Sequence, residues 1–156
     1  MIQSGKELKV ENVLSLRKRM TQEEINIEMG KIGKFLQDNE IKKAGSIVTA
    51  TFAIEENSGQ PLMDMEILVP IDKKFDFPGE YIFKPLFHIF DAIYARHEGN
   101  PATLQNTYNE ILEYIQRNKL QQITAGYNVQ VKDFLPGMTA DEIVIDVYIG
   151  VSRNVL

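Results

Sequence analysis

The chain has 156 residues, 44% of them hydrophobic and 25% charged. That is a globular composition, with length for one domain burying about two-thirds of its unfolded surface. Lys and Arg number 17 against 22 Asp and Glu, a net charge of −5, so the summed field repels phosphate backbones and speaks against a dedicated nucleic-acid binder. Cysteine is absent, which excludes a disulfide framework, a thiol nucleophile, a thiolate zinc site and an iron–sulfur cluster.

The opening residues lack the apolar run of a secretory signal, and no stretch approaches the roughly 20 apolar residues of a membrane span. A soluble, cytoplasmic protein is expected. Residues 13–20 read as an extended segment and predict a strand. Thr21, followed by Gln22-Glu23-Glu24, caps a helix with Glu24 at the reciprocal capping-box position. Ile25, Met29, Ile32 and Leu36 then set one apolar stripe of a helix over residues 22–41. Residues 46–55 are β-rich and lead through Asn57-Ser58-Gly59-Gln60-Pro61, a hairpin connection, to the next strand. There Met63, Met65, Ile67, Val69 and Ile71 alternate with Asp64, Glu66, Leu68 and Pro70.

Residues 72–80 carry charge and a Pro78-Gly79 turn and read as a surface connection. A second extended segment spans residues 87–97. Asn100-Pro101 starts a helix over residues 103–120, with Leu104, Tyr108, Ile111 and Ile115 on its stripe. Residues 127–134 are again β-rich, Leu135-Pro136-Gly137-Met138 reads as a connection, and Ile143, Ile145, Val147, Ile149 and Val151 alternate with Val144, Asp146, Tyr148 and Gly150.

Laid on itself, the chain matches at an offset of 79 residues (Ile25 with Leu104, Leu14 with Ile93, Arg17 with Arg96) and of 80 in the closing strands (Glu66 with Asp146). A strand, helix, strand, strand unit therefore occurs twice. The expected fold is α+β, with the duplicated units forming a curved antiparallel sheet, two helices on one face and pseudo-twofold symmetry. It is a single domain over residues 1–156, with repeat 1 at about 13–71, a linker at about 72–80 and repeat 2 at about 81–151.

Strand parity separates packing from chemistry. Ile67, Val69, Val147 and Ile149 are taken up by the helices, as are Leu14, Leu16, Ile93 and Ala95, so Glu66, Leu68, Asp146 and Tyr148 point the other way. The same parity sends Ser15, Phe90, Tyr94 and His88 to that side. Aromatic walls and two acids suit a flat or cationic organic ligand, through ring area, cation–π attraction and a partly desolvated carboxylate.

The duplicated order, the segment Asp64-Met65-Glu66-Ile67-Leu68-Val69-Pro70-Ile71 and the closing Asp146-Val147-Tyr148-Ile149-Gly150-Val151 resemble the gyrase-inhibitor-like (GyrI-like) small-molecule-binding domain. This is the bacterial transcription-factor effector-binding domain, and the resemblance runs from about residue 13 to 151. It implies a bacterial protein whose Asp146, followed by Tyr148, matches a pocket glutamate that binds hydrophobic, often cationic compounds among aromatic residues. Two positions depart: aspartate is one methylene shorter than glutamate, and Gly150 stands where a proline is usual. The length leaves no room for the helix-turn-helix domain of fused regulators, so direct transcriptional control is not expected.

The leading expectation is a stand-alone binding protein that captures a hydrophobic or cationic organic molecule in the groove between the two repeats, with Asp146, Tyr148, Glu66, Tyr94, Phe90 and His88 as ligand contacts. Asp146 is expected to dominate, because Phe90 and Tyr94 come from the second copy and Ser15 stands in the place of Tyr94 in the first. By the same resemblance, the alternative is hydrolysis of strained electrophiles, with Asp146 or Glu66 acting on water and Tyr94 or Tyr148 donating a hydrogen bond. A third reading is a protein-interaction or operon accessory protein without a ligand. No cofactor and no metal are expected. His88 and His97 lack converging ligands, and there is no Gly-rich phosphate loop, Gly-x-Ser-x-Gly elbow or zinc-protease helix motif. Arg17-Lys18-Arg19, Lys42-Lys43 and Lys73-Lys74 read as solvated surface, and Phe35, Tyr108 and Tyr114 as packing.

Overall fold

A computed structural model describes residues 1–56, 59–132 and 137–154. Among these the chain is α+β: strands β1 (Ile2–Met20), β2 (Val48–Glu56), β3 (Pro61–Pro70), β4 (Ile82–Glu98), β5 (Gln121–Gln130) and β6 (Val144–Ser152), with helices α1 (Gln22–Asp38) and α2 (Leu104–Arg117). The expected hairpin connections include residues 57–58 and 135–136, and the expected third segment of the second half runs to 134. Residues 57–58 and 133–136 lie outside the described residues. The chain divides into two compact units, Val10–Phe87 and Met1–Lys9 with His88–Leu156, and it passes from one to the other within β1 and within β4.

In the Val10–Phe87 unit the strands lie in the order β1, β3, β2, with antiparallel pairing. Leu14 stands opposite Val69 and Leu16 opposite Ile67. Ile25, Ile32 and Leu36 of α1 pack with these four into one apolar cluster, which is what a four-three-four stripe over a one-sided strand face should produce. The capping box at Thr21 forms in both directions: its hydroxyl oxygen accepts the Glu24 N–H at 3.3 Å, and Glu24 Oε1 accepts the Thr21 N–H at 3.3 Å. Residues 72–80 are the exposed connection expected, anchored by the half-buried Phe75 and Phe77. Phe75, Phe77 and Tyr81 pack around Phe35 of α1, with ring centroids 5.9, 5.7 and 5.3 Å from it. Charged neighbours at Asp72, Lys73, Lys74 and Asp76 hid this apolar pair, because a two-ring anchor has no periodicity to detect.

The second unit repeats the order of elements, with strands β4, β6, β5. Ile93 faces Ile149 and Ala95 faces Val147, and Ile111 and Ile115 of α2 complete that core. Asn100 Oδ1 accepts the Ala102 N–H at 3.0 Å, and Pro101 opens a short 3₁₀ turn ahead of α2. Three strands begin earlier than expected: β1 at Ile2 rather than 13, β4 at Ile82 rather than 87, and β5 at Gln121 rather than 127. The added residues show no alternating buried face: in β1, Leu8 alone is buried before residue 13. Of residues 2–7 none is buried, and Ile123 of β5 is exposed.

Tyr108 ties α2 to β5. Its hydroxyl donates to Asn128 Oδ1 at 2.5 Å, and its ring lies where a side chain at residue 126 would be: a Cβ there would stand 2.1 Å from Tyr108 Cε1. Gly126→Ala must therefore displace a largely buried ring and is expected to cost about 1–3 kcal/mol. Urea unfolding should show that cost in the natural background and far less of it beside Tyr108→Ala. Equal costs in the two backgrounds would refute the contact.

Candidate functional site

Residues paired across an antiparallel ladder project to the same face, so β6 gathers two rows. Asp146 lies between Arg96 of β4 and Val129 of β5, and Tyr148 lies between Tyr94 and Tyr127. The Tyr94 and Tyr148 rings are 5.1 Å apart and tilted by 34°, within the range for favourable aromatic pairing. Asp146 is buried, and so is Tyr127.

Asp146 is held by three donors. Arg96 forks onto it, Nε to Oδ1 at 2.8 Å and Nη2 to Oδ2 at 3.1 Å, while Tyr94 Oη donates to Oδ1 at 2.8 Å. The fork is the geometry in which a guanidinium matches a carboxylate most strongly. Burial first, and then the hydrogen bond to Asp146, push the Tyr94 phenol up to about 12. Burial likewise raises Tyr148. Both hydroxyls therefore stay protonated at neutral pH, and that of Tyr94 donates to Asp146.

Glu66 has a parallel arrangement with different chemistry. Ser15 Oγ donates to Oε2 at 2.6 Å and Lys84 Nζ reaches the same oxygen at 2.5 Å, and the carboxylate is 7% exposed. Ser15 and Tyr94 are sequence counterparts, and each gives its hydroxyl to the acid of its own unit. Their neighbours diverge. Arg17, opposite Glu66 in the register, turns to Asp64 with both contacts at 3.2 Å and sets its guanidinium 3.9 Å from the centre of the Phe52 ring. Lys84 supplies the cation instead.

Of the six side chains expected at the site, Asp146, Tyr148 and Tyr94 come together, and Glu66 belongs to the other unit. His88 and Phe90 form a pair of their own, with rings 3.9 Å apart and His88 Nε2 2.9 Å from Glu7 Oε2. Phe90 is 77% exposed. Among the described residues no hydrogen bond or ring contact joins this pair to Asp146, Tyr94 or Tyr148. Sequence reasoning missed Arg96 and Tyr127. Arg96 was visible as the match of Arg17, and Tyr127 could have been found by extending the parity to β5. The basic triplet is not a free patch: Lys18 pairs with Glu28 at 3.1 Å and Arg19 with Glu55 at 3.2 Å, beside the Arg17 to Asp64 contact. Among the described residues no group of three or more His, Asp or Glu could hold a metal, and no helix is long and apolar enough to cross a membrane.

No family model and no curated protein sequence matches the chain. Solved structures do. The C-terminal domain of EcmrR is similar over 99% of each chain, with 15% identity and a TM-score of 0.78. This is the fold of the EcmrR C-terminal domain. In the EcmrR–DNA complex the chain covers 58% of the longer EcmrR chain. A hydrolase from Listeria innocua is similar at a TM-score of 0.62 and 8% identity, covering 95% of this chain and 92% of that one. SAV2435 bound to tetraphenylphosphonium is similar at 0.54 and 11% identity, over 98% and 93%. The fold observed is thus consistent with the resemblance read from the sequence.

The raised phenols of Tyr94 and Tyr108, each at about 12, make a statement about alkaline stability. The folded protein holds these protons more tightly than the unfolded chain, whose tyrosines lose theirs near 10, so their contribution is complete below pH 10 and is lost as pH rises through about 12. Urea unfolding across that window should show falling stability, with a shallower fall in Tyr108→Phe. An unchanged slope in that variant would count against the burial of the phenol.

Proposed function

We propose that the chain binds a small aromatic organic molecule, preferably a cation, on the tyrosine row of Tyr94, Tyr148 and Tyr127 beside Asp146. The observation that carries this reading is a buried carboxylate at the edge of stacked aromatic rings, held by an arginine whose own side chain is 45% exposed. Rings supply area and cation–π attraction. Arg96 pairs with the acid in the free protein, and because its head already reaches water it can give way to a ligand cation at modest cost.

Capture is better supported than turnover. A general base offers a lone pair to the proton it removes, and three hydrogen bonds already occupy Asp146, two on Oδ1 and one on Oδ2, which weakens it as a base. The fold shared with SAV2435, which is seen with tetraphenylphosphonium, adds support for an organic cation. The matched registers of the two units support reading them as copies of one element whose first copy has lost the aromatic hydroxyl, so Glu66, beside Ser15 and Lys84, contributes less.

Tetraphenylphosphonium is the probe. It should raise the thermal midpoint of the natural protein. By titration calorimetry Asp146→Asn should weaken binding roughly ten- to a hundredfold, as loss of a partly buried charge-assisted contact does, and Glu66→Gln should weaken it clearly less. Arg96→Gln should tighten it, because the resident competitor is gone. No stabilisation of the natural protein, or weaker binding to Arg96→Gln than to Asp146→Asn in folded variants, would overturn the reading.

A further inference from the structure

Away from the tyrosine row, a cleft with a volume of about 560 Å³ runs along α1 and the segment that follows it. Its floor is apolar, built from Ile32, Leu36, Ile41 and Val69, all of them core residues. Gly33 leaves one wall without a side chain: a Cβ there would meet nothing within 4 Å. Glu40 and Lys42 stand at the lining's polar edge. We propose that this cleft is a second binding site, independent of the one above, and that its occupant is an amphiphile with an apolar tail and a carboxylate head.

Volume and lining select the tail. The size falls within the roughly 300–1,000 Å³ of small-molecule sites, and an apolar cleft left in water is a standing cost that an apolar chain removes. The head is selected by charge. Lys42 is exposed, and among the described residues its ammonium has no carboxylate partner; its backbone is tied to Asp72, the N–H donating to Oδ1 at 3.1 Å and the carbonyl accepting the Asp72 N–H at 3.0 Å. Three carbonyls of the last turn of α1 are already taken: Phe35 O by the Asn39 N–H at 3.1 Å, Leu36 O by the Ile41 N–H at 2.8 Å and Gln37 O by the Glu40 N–H at 3.2 Å. Glu40 is the one opposing charge at the edge, and it gives the test a sign.

Dodecanoate, 1-dodecanol and dodecyltrimethylammonium share a tail and differ in head, so titration calorimetry below micelle formation separates tail from charge. Dodecanoate should bind best. Lys42→Gln should lower its affinity roughly three- to fivefold, the scale of one exposed charge pair, and leave 1-dodecanol unchanged, while Glu40→Gln should raise it. Gly33→Leu fills the cleft, favours the helix and should abolish binding of dodecanoate while tetraphenylphosphonium binding persists. Equal or tighter binding of dodecyltrimethylammonium would overturn the carboxylate assignment. Undiminished dodecanoate binding by Gly33→Leu, or none by the natural protein, would overturn the site.

Discussion

Two carboxylates lie almost out of water, and each is paired there with a cation from a strand of its own unit. Everything distinctive about the face opposite the helices follows from that constraint. A buried acid without a partner is costly enough to neutralise itself or unfold the chain, whereas a paired one is tolerated when its remaining lone pairs are also satisfied. Ser15 and Lys84 do this for Glu66, Tyr94 and Arg96 for Asp146. The face toward the helices carries no such obligation and is filled with Leu, Ile and Val.

The two pairs are unequal in what they permit. Arg96 binds its acid through a planar fork, which fixes the carboxylate's orientation as well as its charge. Lys84 is a compact charge on a flexible stem, a third exposed, and it meets Glu66 at the same oxygen as the serine hydroxyl. Beside Asp146 lie tyrosine rings; opposite Ser15 in the register lies Leu68, itself fully buried. The two units therefore differ in the residues that surround each acid.

How much of this was legible in the sequence depends on whether the residue had a period. The stripes of α1 and α2, the capping box at Thr21, and the inward residues of β3 and β6 all repeat at 3.6 or 2 and were read correctly. So was the meeting of Asp146, Tyr94 and Tyr148, because parity on two paired strands fixes it. Lys84 was out of reach: it precedes the apolar alternation of β4 and sits next to Pro85, so its strand could not be seen to begin there. Phe75 and Phe77 anchor an otherwise polar segment, and β1 extends through residues of which Leu8 alone is buried before residue 13.

Gly150, which stands where a proline is usual in the family the sequence resembles, has a local reason. The pairing of β5 with β6 shifts register between Gln122 and Gly126, and the displaced residues fold Thr124 over β6, where its Oγ1 accepts the Gly150 N–H at 2.8 Å. Proline has no such proton to give. Any Cβ at residue 150 would also stand 2.7 Å from Thr124 Cγ2, so glycine is what the irregularity demands. Two residues back along β6, on the same face, is Tyr148. The bulge and its glycine thus close one end of the row on which the tyrosines sit, and the departure from the family pattern is part of how this chain shapes its proposed seat.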